Sequence, residues 1–296
     1  MRDRGSRTAE SSAAQRALHT LHGHDPKTFE DPFALALAGP LWKLLVGPRP
    51  TAWLFRTACA WLMPMVAHHV ARSRYLEGRL DQLVEKGLAQ YVLLGAGMDS
   101  FAFRRQDLAQ RLTIFEVDHP GTQSRKRQRL RKVGHSEPSH VRYVPVDFEA
   151  EALRDALTRS GFNSAELTLF AWMGVMPYLT KESIVSTLRD IAERAAPESE
   201  IVFDTLDRAA FTTGKTTVVG RKIFRATERM GEPMMSGFDP PEIDHLLTST
   251  GFKMLEVMTA EGGLHNSGSP AAPICLTPGS TCTWSERQCA EVRVTQ

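Results

Sequence analysis

Between positions 90 and 206, short apolar runs alternate with longer helical stretches, and this alternation constrains the fold more than any other feature of the chain. A strand, a crossover helix and a second strand make a βαβ unit, and repeated units make an α/β fold with a parallel sheet. The pattern predicts strands at 91–94, 112–117, 141–146, 167–172 and 200–204, with helices near 100–110, 120–133, 149–160 and 181–196. The last of these helices has Thr180 as N-cap, Glu182 and Ser183 in its first turn and Pro197 as its stop.

The flanks read differently. Val66, Val70, Leu76, Leu80, Leu83 and Val84 form one stripe of a long helix, so residues 1–89 are expected to be a helical N-terminal cap. The sheet domain is expected over 90–262, with a helical insertion at about 207–250, made of helices at 218–230 and 240–249, and a strand at 252–258. From 263 to 296, Pro270, Pro273 and Pro278 interrupt a stretch of little periodicity, which is expected to be an irregular tail.

Composition narrows the partners. Lys and Arg number 36 against 34 Asp and Glu, a net charge of +2, so no whole-protein field exists to steer nucleic acid. The basic residues Arg104 and Arg105 and the run from Arg125 to Lys132 read as a solvated helix face. Cys59, Cys275, Cys282 and Cys289 show no C-x-x-C spacing, so no metal site is expected and the thiols read as reduced. The most apolar stretch, 51–71, is broken by Arg56, Pro64 and two histidines, and no apolar leader opens the chain. No membrane partner and a cytoplasmic location are therefore expected.

The strand at 91–94 runs into Gly95-Ala96-Gly97-Met98-Asp99. Two glycines let a backbone turn sharply and approach a ligand, and in an open parallel sheet the first such turn is the usual cofactor cradle. A dinucleotide fingerprint would carry a third glycine where Ser100 stands. The Asp99 carboxylate would also oppose the pyrophosphate of NAD. It suits a phosphate-free ligand with a sulfonium and an α-amino group, which is S-adenosyl-L-methionine; a plain helix cap is the alternative role for Asp99. Glu116 and Asp118, at the end of the second strand, are placed to accept hydrogen bonds from a ribose diol. Asp147 and Phe148, after the third strand, could hold an adenine amino group and stack on its ring.

With these residues in view, the chain resembles the leucine carboxyl methyltransferase family. The likeness is to its bacterial branch of S-adenosyl-L-methionine-dependent methyltransferases, which includes polyketide carboxyl methyltransferases of the tetracenomycin type. It rests on ARSR at 71–74, LGAGMDSFAFR at 94–104, FEVDHP at 115–120, the step Val146-Asp147-Phe148 and GVMPYLT at 174–180. The segments TAESSAAQRA and FEDPFA near the N-terminus also match, so the likeness runs from about residue 8 to about residue 258. It implies a Rossmann-like methyltransferase sheet with a helical N-terminal cap. It further implies that Arg72 pairs with the methionyl carboxylate, Gly95 lines the cofactor, Asp118 holds the ribose, and Asp147 with Phe148 holds the adenine. Two departures stand out: Met173 occupies a position where many relatives carry glutamate, and the tail offers no clear final strand to pair with 252–258.

The expected activity is O-methylation of a small-molecule carboxylate, such as a polyketide acid, and the alternative is a catalytically weak or inactive cofactor-binding relative. A carboxylate is ionised at neutral pH and needs no general base. A phenol or alcohol would need one, and His68, His69 and His119 would be the candidates. Tyr178 is placed either to position the acceptor or to pack at the sheet edge.

Overall fold

The computed structural model describes residues 6–212, 216–259, 264–266 and 289–295. In chain order the helices and strands are α1 (Arg7–His22), α2 (Ala34–Ala38), α3 (Pro40–Val46), α4 (Arg49–Ala58), α5 (Met63–Val84), β1 (Gln90–Leu94), α6 (Phe101–Arg104), β2 (Thr113–Asp118), α7 (Pro120–Lys132), β3 (Val141–Pro145), α8 (Leu153–Arg159), β4 (Thr168–Trp172), α9 (Lys181–Arg194), β5 (Glu200–Leu206), α10 (Val218–Arg229), α11 (Pro240–Ser249), β6 (Lys253–Thr259), β7 (Leu264–Asn266) and β8 (Cys289–Thr295). They form two compact units, residues 1–87 with 96–147 and residues 88–95 with 148–296.

In the first unit, β2 pairs parallel with β3 from Ile114 opposite Val141 to Asp118 opposite Pro145. The N-terminal helices belong to this unit. The reason lies in buried polar ties. Arg16 of α1 donates from Nε to Asp31 at 2.8 Å and from Nη2 to the Met98 carbonyl at 2.6 Å. The long stripe predicted on α5 is real, with Val70, Leu76, Leu80, Leu83 and Val84 all buried.

In the second unit, β1, β4 and β5 run parallel, with Gln90 opposite Thr168 and Leu169 opposite Glu200. All of β1, β4 and β5 is buried, as expected for strands of a parallel sheet covered on both faces. The predicted helix at 181–196 ends at Arg194, and Thr180 Oγ1 accepts the Ser183 N–H at 3.2 Å as the cap predicted. The tail departs from expectation. β8 lies antiparallel between β5 and β6, with Ile201 opposite Val294 and Val257 opposite Val292, and β7 continues beyond β6. Main-chain hydrogen bonds on both sides fix β8, whose text alternates Ala290, Val292 and Val294 with Glu291, Arg293 and Thr295. Cys275 and Cys282 lie outside the described residues.

Candidate functional site

The glycine turn is built by backbone geometry. Gly95 and Gly97 have φ of 67° and 53°, the left-handed region that glycine enters without a Cβ penalty. A Cβ on Gly95 would lie 2.3 Å from Val175 Cγ2, so the second unit allows no side chain there. Past the turn, the Ala96 N–H donates to the Val117 carbonyl at 3.0 Å, which fastens residue 96 to β2.

Asp118 completes this arrangement in the first unit. One carboxylate oxygen accepts the Gly97 N–H and the other accepts the His119 N–H at 2.6 Å. Burial pushes the Asp118 pKa up, against the pull of those two N–H donors. Glu116, two residues earlier, has a different task. Its fully buried side chain accepts from Lys126 Nζ at 2.7 Å, and burial likewise raises its pKa against that partner's charge. Asp99, one residue before the Ser100 N-cap of α6, accepts the Phe101 N–H on Oδ1 at 2.7 Å.

The remaining predicted residues fall as follows. Arg72 is half-buried on α5 and Asp147 is half-buried just past β3, both in the first unit. Phe148, Met173 and Tyr178 are half-buried in the second. The Tyr178 N–H donates to the Val175 carbonyl at 2.9 Å, and the Gly174 N–H donates to the Asp204 carboxylate of β5, so the loop after β4 is pinned from below. Among the candidate bases, His69 Nδ1 donates to the Met65 carbonyl at 2.8 Å, and its Nε2 is 3.1 Å from the Ser12 hydroxyl. Burial, then the charge of Arg72, holds its pKa well below the usual histidine value, so the ring is neutral. His119 caps α7, its Nδ1 accepting the Gly121 N–H at 3.2 Å.

Sequence reasoning missed the charged frame beneath the turn. Asp31 sits fully buried against Arg16, with Arg104 at 3.9 Å. Burial opposes its charge, but Arg16 and Arg104 outweigh that and keep its pKa below the ordinary value. Arg104 also donates to both oxygens of Glu77 on α5. The signal was slight, one arginine in TAESSAAQRA and one aspartate in FEDPFA, each segment also holding a glutamate, Glu10 or Glu30. The basic run on α7 is a solvated face only in part, since Gln128, Arg131 and Lys132 are exposed while others are paired and less accessible. Arg125 and Arg129 pair with Glu10, Lys126 is buried on Glu116, and Arg127 and Arg131 pair with Glu137.

Residues 9–192 match the family model described as leucine carboxyl methyltransferase. The chain belongs to the leucine carboxyl methyltransferase family. Among relatives of this family member, YktD of Bacillus subtilis (strain 168), provisionally named an S-adenosyl-L-methionine-dependent methyltransferase, is 37% identical over 192 residues, which cover 65% of this chain and 63% of that protein. A protein of Mycolicibacterium smegmatis with the same provisional name is 32% identical over 206 residues, 67% of this chain and 62% of its own length. The chain therefore spans a little under two thirds of the curated relatives it matches. A crystal structure from Thermobifida fusca YX, provisionally titled a methyltransferase, superposes with a TM-score of 0.57 at 17% identity, covering 99% of this chain and 96% of that one. The family member shares its Rossmann-like α/β fold.

Proposed function

We propose that this chain is an S-adenosyl-L-methionine-dependent O-methyltransferase whose acceptor is the carboxylate of a small molecule. The observation that carries the reading is the Gly97 N–H held by the Asp118 carboxylate, at a left-handed glycine turn where a Cβ does not fit. The donor set suits the cofactor and not a dinucleotide: Asp99, Asp118 and Asp147 are anions, which favour a sulfonium, a ribose diol and an adenine amino group over phosphates. Family membership and the names of the relatives support the same cofactor.

In this reading Arg72 pairs with the methionyl carboxylate through its guanidinium fork. Gly95 and Gly97 bring main chain against the cofactor, Asp99 faces its cationic end, Asp118 accepts from the ribose, and Asp147 with Phe148 takes the adenine. Glu116 supports β2 through Lys126 instead of touching ligand. When bound, the cofactor supplies an activated methyl group for in-line displacement. The protein contributes alignment and exclusion of water. Of the three candidate bases, His69 and His119 are engaged in structural hydrogen bonds, and an acceptor that arrives ionised needs none of the three. Tyr178 is the residue proposed to orient that acceptor. The pairing of the α7 basic run with Glu10, Glu116 and Glu137 favours a small molecule over nucleic acid.

The test is calorimetry of the full chain with S-adenosyl-L-methionine and S-adenosyl-L-homocysteine, followed by transfer of labelled methyl to matched carboxylic acids and phenols. Binding with ester formation on acids is expected. Failure of the folded chain to bind either ligand would sink the cofactor reading, and transfer to phenols alone would overturn the acceptor class.

A further inference from the structure

Helices α3 and α4 turn large apolar side chains away from the protein. Leu41 and Leu44 on α3 are 64% and 68% exposed, and Trp53 and Leu54 on α4 are 67% and 61% exposed, values that mark a face and not scattered single residues. Of α4 only Ala52 is buried, and of α3 only Val46. Among the exposed positions of α4, which also include Arg49, Thr51 and Ala58, Pro50, Trp53, Leu54 and Thr57 recur at helical spacing and so share one side. The hairpin is nevertheless fastened. The His22 ring nitrogen Nε2 lies 2.9 Å from the Val46 carbonyl, Arg56 donates to the His22 carbonyl at 3.1 Å, and the Trp42 and Phe55 rings meet edge to face at 5.9 Å. The outward face is therefore a fixed surface.

Charge says what it faces. No Asp or Glu occurs at any position from 32 to 76, while Lys43, Arg49, Arg56, Arg72 and Arg74 all fall within it. Lys43 and Arg49 are exposed on the hairpin itself. A fixed helical face that combines tryptophan and leucine with long basic side chains, and carries no acid of its own, has the chemistry of an interfacial anchor. We propose that the α3–α4 hairpin docks on the surface of an anionic lipid bilayer, with Leu41, Leu44, Trp53 and Leu54 entering the headgroup boundary and Lys43 and Arg49 meeting the lipid phosphates. A second copy of the chain is the poorer occupant, because two-fold pairing would set the same acid-free basic stretch against itself. None of the described helices is long and apolar enough to cross a membrane, and lying on one requires no span. The inference is independent of the methyltransferase reading.

Co-sedimentation of the full chain with vesicles of mixed phosphatidylglycerol and phosphatidylcholine, and with pure phosphatidylcholine, tests it. Binding to the anionic vesicles that weakens with salt is expected. Trp53→Ser with Leu54→Ser, and separately Lys43→Glu with Arg49→Glu, should each cut that binding at least about 10-fold. Circular dichroism of these surface variants should match the parent. Quenching by brominated lipid adds a readout that needs only the conservative change Trp53→Phe, which should remove most of the quenching. Absence of binding by the folded parent, equal binding by the variants, unchanged quenching in Trp53→Phe, or a dimer that Trp53→Ser with Leu54→Ser dissolves without any vesicle binding would each overturn the proposal.

Discussion

The main-chain N–H of Gly97 donates to the side chain of Asp118, so the carboxylate at the end of β2 holds the turn that precedes it. Replacing Asp118 with Ala removes this bond and the one to His119 together. A charge-assisted hydrogen bond is worth about 1.5–3 kcal/mol, so cofactor affinity should drop at least 10-fold, with Asp118→Asn intermediate because its amide oxygen still accepts. Calorimetry on variants whose melting is cooperative measures this; affinity unchanged in Asp118→Ala would remove Asp118 from the site.

Gly95 is fixed by two separate restrictions, a φ of 67° and the nearby Val175 side chain. Ala in left-handed backbone costs roughly 1–2 kcal/mol, and the contact with Val175 adds to it. Gly95→Ala should therefore be destabilised, and Gly95→Ala with Val175→Ala should recover the steric part only. Urea titration of the three proteins gives the order, and a Gly95→Ala protein as stable as the parent would contradict the geometry.

Asp31 stabilises the frame under the turn by neutralising Arg16. Asp31→Ala leaves a buried guanidinium without its carboxylate, a loss of about 3–5 kcal/mol in unfolding free energy. Exchanging both members for apolar residues, Arg16→Met with Asp31→Leu, should be milder than the single change, since no charge is then stranded. A single variant no weaker than the double one would argue against a buried pair.

His69 makes stability depend on pH. Its folded pKa lies below the ordinary value of 6.5, so its contribution is full above that value and is lost as pH falls toward the depressed folded pKa. Protonation would place a second positive charge beside Arg72 in a buried site. From about pH 7.5 to about pH 5, the parent's melting temperature should fall more steeply than that of His69→Gln. Parallel curves would show that the ring does not titrate between the two states.

The sheet and its order of strands and helices were legible because burial on both faces writes itself into continuous apolar runs. The strand predicted at 91–94 forms at Gln90–Leu94 and that at 167–172 forms at Thr168–Trp172. β8 was missed although its CAEVRVT text alternates apolar and polar residues as a strand does, because it follows the stretch interrupted by Pro270, Pro273 and Pro278, and its partners β5 and β6 are distant in the chain. The position of Asp118 at a strand end could be read, but not its bond to the Gly97 N–H. Glu116 is a carboxylate of the same strand, and only the fold shows that Lys126 pairs with it. The ion pairs on α7 were hidden for another reason, since Arg125 and Arg129 find Glu10 at separations of 115 and 119 residues. Local patterning carries no trace of partners that distant.

The place of β8 has a consequence during synthesis. β6 and β7 leave the ribosome before residue 289, yet β6 joins the rest of its sheet through β8. Until the last strand emerges, β6 has no partner on the side that β8 will fill, and the nascent chain must keep that edge from pairing with another molecule. A premature stop ahead of Cys289 would not trim an edge of the protein; it would cut β6 and β7 away from β5.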